Sequence, residues 1–316
     1  MSVLSKIARR VTGPPGPPVP FVVGVGRSGT TLLRLMLDAH PDLAVPPETG
    51  FVPNLIGAAR EDGATPQSLA EVLVNHRRWG DFGLEIDELT ARWQALPRLG
   101  PGPVVRAFYE LYAEQQGKPR WGDKTPGYSQ HIRSIAKVIP EARFIHLIRD
   151  GRDVTLSRTT TLALKPTTIT KAAGRWKRRL KRARRQGAKV DHYLELRYEA
   201  LVSDPEGTLR KACEFIELPW DPVMLDYHER SADRLAELDR DIQAMGDRLP
   251  RSAESRMALH ERTTKPVDTT AIGKWRDGMS EEDLVEFEAK AGDLLIELGY
   301  EPATPAAADA AGKNAE

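Results

Sequence analysis

Arg27 stands in the middle of a glycine-rich turn within VGVGRSGTTLLRLMLDAHPDL, residues 23–43. Gly24 through Thr31 follows the phosphate-loop pattern G-x-x-x-x-G-K-[ST] except at the lysine position, which holds Thr30. Backbone N–H groups in such a turn, backed by a helix N-terminus, form an anion site whatever the side chains. Gly26 and Gly29 allow the unusual dihedrals, and Thr30 and Thr31 bring hydroxyl donors to the helix start. Arg27 adds charge-assisted, bidentate-capable hydrogen bonds suited to phosphate or sulfate oxygens. Without the lysine, and with no clear apolar run ending in Asp, the loop is poorly equipped for Mg·NTP hydrolysis.

A second group lies in LIRDGRDVTLSR, where Arg149 precedes Ser157 by eight residues. An arginine at a strand end and a hydroxyl in the following helix have the spacing to grip one phosphate. Taken alone, Arg149, Asp150, Arg152 and Asp153 read equally well as a surface ion-pair cluster.

Three strand ends carry these groups. FVVGV (21–25) is an unbroken apolar run, the pattern of a buried parallel strand. Leu32, Leu35, Met36 and Ala39 follow at helical spacing, and His40-Pro41 closes that helix. LAVP (43–46) reads as a short strand ending before Glu48, RFIHLI (143–148) as a strand feeding Arg149, and HYLELR (192–197) as another. Strands alternating with helices give an α/β fold, a single domain with a parallel sheet flanked by helices. Ligands in such folds sit at the carboxyl ends of the strands, where Arg27, Glu48 and Arg149 converge.

Between the strands, residues 54–118 read as a helical insertion covering one end of the sheet, with helices around 66–75, 87–96 and 103–116. The domain spans 21–300. Residues 1–20 form a flexible Pro/Gly-rich lead, and 301–316 a disordered tail. SEED (280–283) begins the last helix with a capping-box-like start, and Gly299 stops it.

Whole-chain properties narrow the classes. In 316 residues the formal net charge is +1, so nothing global argues for nucleic acid or an anionic membrane. The one cysteine, Cys213, excludes an internal disulfide, leaves no thiolate metal cluster and is expected in the core. No secretory h-region and no stretch of about 18 apolar residues is present, and the expectation is a cytoplasmic protein.

The segments GVGRSGTTLLRLMLDAHPDLAVPPE and FIHLIRDGRDVTLS together resemble the nucleotide-binding signatures of sulfotransferases that use 3′-phosphoadenosine 5′-phosphosulfate (PAPS). The branch most similar contains tyrosylprotein sulfotransferases and many bacterial relatives. The resemblance continues through WGDKTP (121–126), residues 196–220 and 272–300, and is vague over 54–118 and 221–265.

It implies that Arg27, Ser28, Gly29, Thr30 and Thr31 hold the 5′-phosphosulfate and that Arg149 with Ser157 holds the 3′-phosphate. A donor with no γ-phosphate has no use for the loop lysine. The resemblance also implies Glu48 as the general base and Lys124, with Arg27, as the cations on the leaving group. It places Tyr198 against the adenine and Lys274, with Arg276 as the alternative, on a segment closing over the nucleotide. PAPS is then the donor, adenosine 3′,5′-bisphosphate the product, and no metal is required. His40, His131 and His146 have no motif behind them and read as structural.

The densely basic KAAGRWKRRLKRARRQGAKV (171–190) reads as a solvated helix face, with an acidic acceptor or an anionic surface contacting 171–185 as the functional alternative. The acceptor is a small-molecule, carbohydrate, lipid or peptide hydroxyl, and nucleic acid is not expected. A P-loop kinase or NTPase, and a non-catalytic nucleotide-binding protein on the same scaffold, stand as alternatives.

Overall fold

The computed structural model describes residues 16–161, 164–246 and 249–304. Strand β1 (Val19–Gly24) is buried at every position, as its apolar run requires when helices cover both faces of the sheet. It starts earlier than expected, with Val19 and Pro20 already paired to Ala142 and Arg143. The lead therefore ends inside a strand, and its first 15 residues lie outside the described ones.

After the glycine turn come α1 (Thr30–Ala39) and β2 (Leu43–Ala44). Four helices follow: α2 (Val52–Ala58), α3 (Pro66–Val74), α4 (Ile86–Ala95) and α5 (Pro101–Gln115). The chain then forms β3 (Arg120–Trp121), β4 (Asp123–Lys124), α6 (Ile132–Ala136), β5 (Ala142–Ile148), α7 (Gly151–Thr160) and α8 (Ile169–Gly187). Next are β6 (Tyr193–Arg197), α9 (Tyr198–Ser203), α10 (Pro205–Phe215), α11 (Tyr227–Ala236) and α12 (Ala253–Ala258), and last α13 (Trp275–Gly278) and α14 (Glu281–Glu297).

The main sheet is parallel, in the order β4-β1-β5-β6, and β2 pairs with β3 in a second, two-stranded parallel sheet. Gly122 carries the chain from one sheet to the other. Its N–H donates to Ala44 O at 2.9 Å, and a Cβ there would sit 2.7 Å from Pro20 Cγ. The strand order reverses at β1, which opens a crevice beyond its carboxyl end.

Helices cover both faces. Leu33 and Met36 of α1 pack with Leu201, Leu209 and Cys213 on one face. Cys213 is a core residue, with its Sγ 3.7 Å from Met224 Sδ. The other face holds the insertion. Tyr109 of α5 meets Phe21 edge-on at 6.2 Å and stacks on Trp121 at 4.5 Å. The insertion is thus a full layer beneath β1 and not only a cover for the sheet's end.

A third cluster joins Trp176 of α8, Phe287 and Leu294 of α14, and Ile148. The basic α8 is seamed to α14 by ion pairs from Lys177 and Lys181 to Asp293 and from Arg184 to Glu297. The capping box at Ser280 and Asp283 is present. The tail stays docked further than expected: the Ala303 and Thr304 amides both donate to Glu288 at 2.8 Å. Residues from 305 onward lie outside the described ones.

Candidate active site

The glycine turn holds two left-handed residues, Arg27 (φ 77°) and Gly29 (φ 87°). Gly29 caps α1 under the ring of Tyr198, and a Cβ there would lie 2.3 Å from Tyr198 Cδ2. The first-turn amides of α1 have no intrahelical partners, and they face this turn. Ser28 is 1 % exposed and donates its N–H to Val25 O. It lines neither cavity described below.

Two cavities meet over this turn. The first is lined by Arg27, Gly29, Thr30, Thr31, Arg149, Ser157, Tyr198 and Lys274. It therefore gathers every residue expected at the nucleotide except Ser28. Arg27 Nε donates to Ser157 Oγ at 3.0 Å, and Arg149 Nη1 donates to Arg27 O at 3.2 Å. The Arg149 guanidinium lies 4.4 Å from the centre of the Tyr198 ring. Burial, with Arg149 and Arg251 nearby, lowers the Arg27 pKa.

The segment bearing Lys274 is tied down by the ion cluster of the second motif, which is buried and not on the surface. Asp153 accepts from the Gly273 and Trp275 amides at 2.9 and 3.0 Å, and Arg149 Nη2 donates to Ala271 O at 2.6 Å. Asp150 caps α7 and pairs with Arg152, whose guanidinium lies 3.7 Å over the Trp275 ring. Lys274 faces the cavity, whereas Arg276 lies over the Trp275 ring and lines neither cavity.

The second cavity opens on the other side of the turn and shares Arg27, Thr30, Thr31, Leu259 and His260 with the first. Glu48 and Lys124 line this second cavity, 3.0 Å apart, and Lys124 Nζ also donates at 3.3 Å to Oγ1 of Thr31, which lines both. Arg78, from the insertion, holds the other Glu48 oxygen at 3.1 Å. Burial works to raise the Glu48 carboxyl, but Lys124 and Arg78 outweigh it and hold it well below the usual carboxylate range.

Glu48 is positioned through its neighbour. The Thr49 hydroxyl donates to Asp123 Oδ2 at 2.9 Å, and Tyr109 donates to the same oxygen at 2.8 Å. Burial raises the Asp123 carboxyl to about 6.

Several residues here carried no signal in the sequence. Arg78 is isolated in the insertion. His260, in the poorly matching stretch, is depressed to about 3 by burial and by Lys124. Arg175 and Arg179 did leave a trace, as members of the basic run four residues apart, and both line the second cavity. The expected surface helix thus gives one edge to the site and another to α14. His40, His131 and His146 line neither cavity.

A family model described as "Sulfotransferase family" matches residues 18–222. The chain belongs to the sulfotransferase family. This sulfotransferase is 28 % identical to the protein-tyrosine sulfotransferase 1 of Danio rerio over 90 % of its own length and 73 % of the relative's. It is 26 % identical to the protein-tyrosine sulfotransferase of Drosophila melanogaster over 90 % of its own length and 52 % of that protein's.

Its fold is similar to the sulfotransferase domain from the curacin biosynthetic pathway, with a TM-score of 0.61 at 19 % identity, covering 92 % of this chain and 100 % of that one. It is also similar to the sulfotransferase domain of the Synechococcus PCC 7002 olefin synthase, with a TM-score of 0.54 at 24 % identity, covering 88 % and 96 %. The sulfotransferase's His260 and Lys274 lie beyond the family-matched residues.

Proposed function

We propose that the protein transfers a sulfuryl group from PAPS to a hydroxyl acceptor, with Glu48 as general base. The observation that carries this is the Glu48–Lys124 pair in the second cavity, tied through Thr31 to the glycine turn over which the two cavities meet. One cavity suits the donor: Arg27, Arg149 and Lys274 offer charge, and Tyr198 offers an aromatic face. Arg149 Nε is buried there with no hydrogen-bond partner, which is donor capacity for a phosphate oxygen.

The donor supplies a sulfuryl group on a good phosphate leaving group. Reaction forms the acceptor O–S bond, breaks the bridging S–O bond and sends the acceptor proton to Glu48, leaving adenosine 3′,5′-bisphosphate. Lys124 and Arg27 neutralise charge developing on the leaving oxygen, and the α1 N-terminus favours the anion. A carboxylate held as acidic as Glu48 is a weak base. Drawing Lys124 toward the leaving oxygen removes its charge from Glu48 and raises the carboxyl's basicity. Base strength is then coupled to donor occupancy. Thr30 in place of the loop lysine disfavours the kinase reading.

The slow hydrolysis of PAPS, with water in the acceptor's place, tests this assignment. Lys124→Met is expected to lower that rate by about 10²-fold or more. An unchanged rate would remove Lys124 from the mechanism.

A further inference from the structure

The second cavity carries more positive charge than the transfer reaction needs. Eight arginines and Lys124 line it, against one carboxylate, Glu48. Several of these cations have partners: Arg34 bonds Glu237, Arg256 bonds Asp81, and Arg78 and Lys124 hold Glu48. The far wall differs. Arg158 Nη1 is buried without a hydrogen-bond partner, and so is the hydroxyl of Thr155, one helical turn earlier on α7. Thr155 is 0 % exposed. Burial, then the neighbouring Arg175 and Arg251, lowers the Arg158 pKa. Arg175, on the exposed rim, brings a second guanidinium from α8.

These groups are separate from the donor contacts. Ser157, adjacent in sequence to Arg158, turns toward the first cavity, while Arg158 and Thr155 line the second. Buried hydrogen-bond donors normally have partners, and like charges held together need a counter-charge. A neutral acceptor could pair the donors but would supply no counter-charge.

We infer that the acceptor carries, besides its reacting hydroxyl, a tetrahedral oxyanion (a phosphate or sulfate monoester) that docks on Arg158, Thr155 and Arg175 and presents the hydroxyl to Glu48. This rests on the sulfuryl-transfer reading of the same site. The guanidinium fork and the hydroxyl match the oxygens of such a group. Specificity follows from the same feature, because an acceptor lacking the anion leaves Arg158 Nη1 and the Thr155 hydroxyl unpaired.

The test titrates inorganic phosphate, and in a second arm sulfate, into the full chain saturated with adenosine 3′,5′-bisphosphate, at low ionic strength by calorimetry. Expected is one saturable site per chain, weakened about tenfold or more in Arg158→Gln and in Arg175→Gln, with bisphosphate affinity unchanged. Arg175 is exposed, so its variant keeps the test readable if Arg158→Gln folds poorly. Tighter phosphate than sulfate would point to a phosphate ester, and the reverse to a sulfate ester. No binding beside the bisphosphate, or binding indifferent to both variants (an adventitious ion only), would overturn the inference. Failure of the bisphosphate itself to bind would instead overturn the donor assignment, and phosphate binding that depends on Arg158 would still stand.

Discussion

Glu48 has cations on both its oxygens, Lys124 at 3.0 Å and Arg78 at 3.1 Å, and they serve different ends. In the proposed mechanism Lys124 moves to the donor, whereas Arg78 remains to hold the carboxylate in place. Replacing Glu48 by Gln keeps the size and removes the proposed base. Turnover should fall by about 10²–10⁴-fold with bisphosphate binding retained, and wild-type rates in that variant would sink the base assignment. Arg78→Met removes one of the charges that depress the carboxyl, so the Glu48 pKa rises. The acidic limb of kcat/KM against pH should move to higher pH in that variant, and an unmoved limb would show that Glu48 does not set it. At this scale the sequence was legible where a motif surrounded the residue, as for Arg27, Glu48 and Lys124. Arg78 and His260 were not, because a lone cation or imidazole in a helical or loop stretch looks the same whether it faces water or a carboxylate.

The glycine turn and the segment 271–275 are two of the elements that line the cavity proposed for the donor. A side chain at Gly29 meets two obstacles, the left-handed φ of 87° and the Tyr198 ring 2.3 Å from its Cβ. Gly29→Ala should destabilise the fold by at least about 1–2 kcal/mol, read as a lowered denaturation midpoint, and should weaken bisphosphate binding. A fully stable variant with normal affinity would mean that the turn is looser than described. The closing segment depends on Asp153, which accepts both the Gly273 and Trp275 amides. Asp153→Ala should release Lys274 and raise the bisphosphate Kd several-fold, with the loss concentrated in a faster off-rate. The strand–turn–helix of the first motif was readable because buried strands and glycine turns are local patterns. The step at Gly122 between two sheets was not, since it depends on packing against Pro20, about a hundred residues away in sequence.

Across the whole molecule, the reversal of strand order at β1 brings three chain segments together that are far apart in sequence. Residues 24–31, 121–125 and 149–158 carry motifs. The strands before the first and last were expected, whereas β4 at Asp123–Lys124 was not. The expected strand at 43–46 is the short β2, paired with β3 outside the main sheet. The stretch 251–262, which roofs both cavities, has no periodic apolar pattern and joins the site only through tertiary contacts. Among these, Arg27 Nη1 donates to Leu259 O at 3.4 Å and Arg256 bonds Asp81.

One consequence is a pH effect on stability. His260 sits at about 3 in the folded protein against 6.5 when unperturbed, so the unfolded chain binds more protons below that upper value. Stability from His260 is complete above about 6.5 and is lost as pH falls toward 3. Asp123, raised to about 6 from 3.8, acts in the opposite sense, and its burial cost is relieved as pH falls through that window. In His260→Gln the fall in denaturation midpoint between pH 6.5 and 4 should be shallower than in the parent. An identical slope would contradict the burial of a neutral imidazole among these cations.

The central claim is that the glycine turn, Arg149 and Ser157 together hold a nucleotide bearing a 3′-phosphate. Its most direct test is isothermal titration with adenosine 3′,5′-bisphosphate beside Mg·ATP, repeated with Arg149→Ala. Tight bisphosphate binding, little ATP binding and a loss of about tenfold or more in the variant are expected. Preference for Mg·ATP, with Arg149 immaterial, would contradict the account and put the kinase reading first.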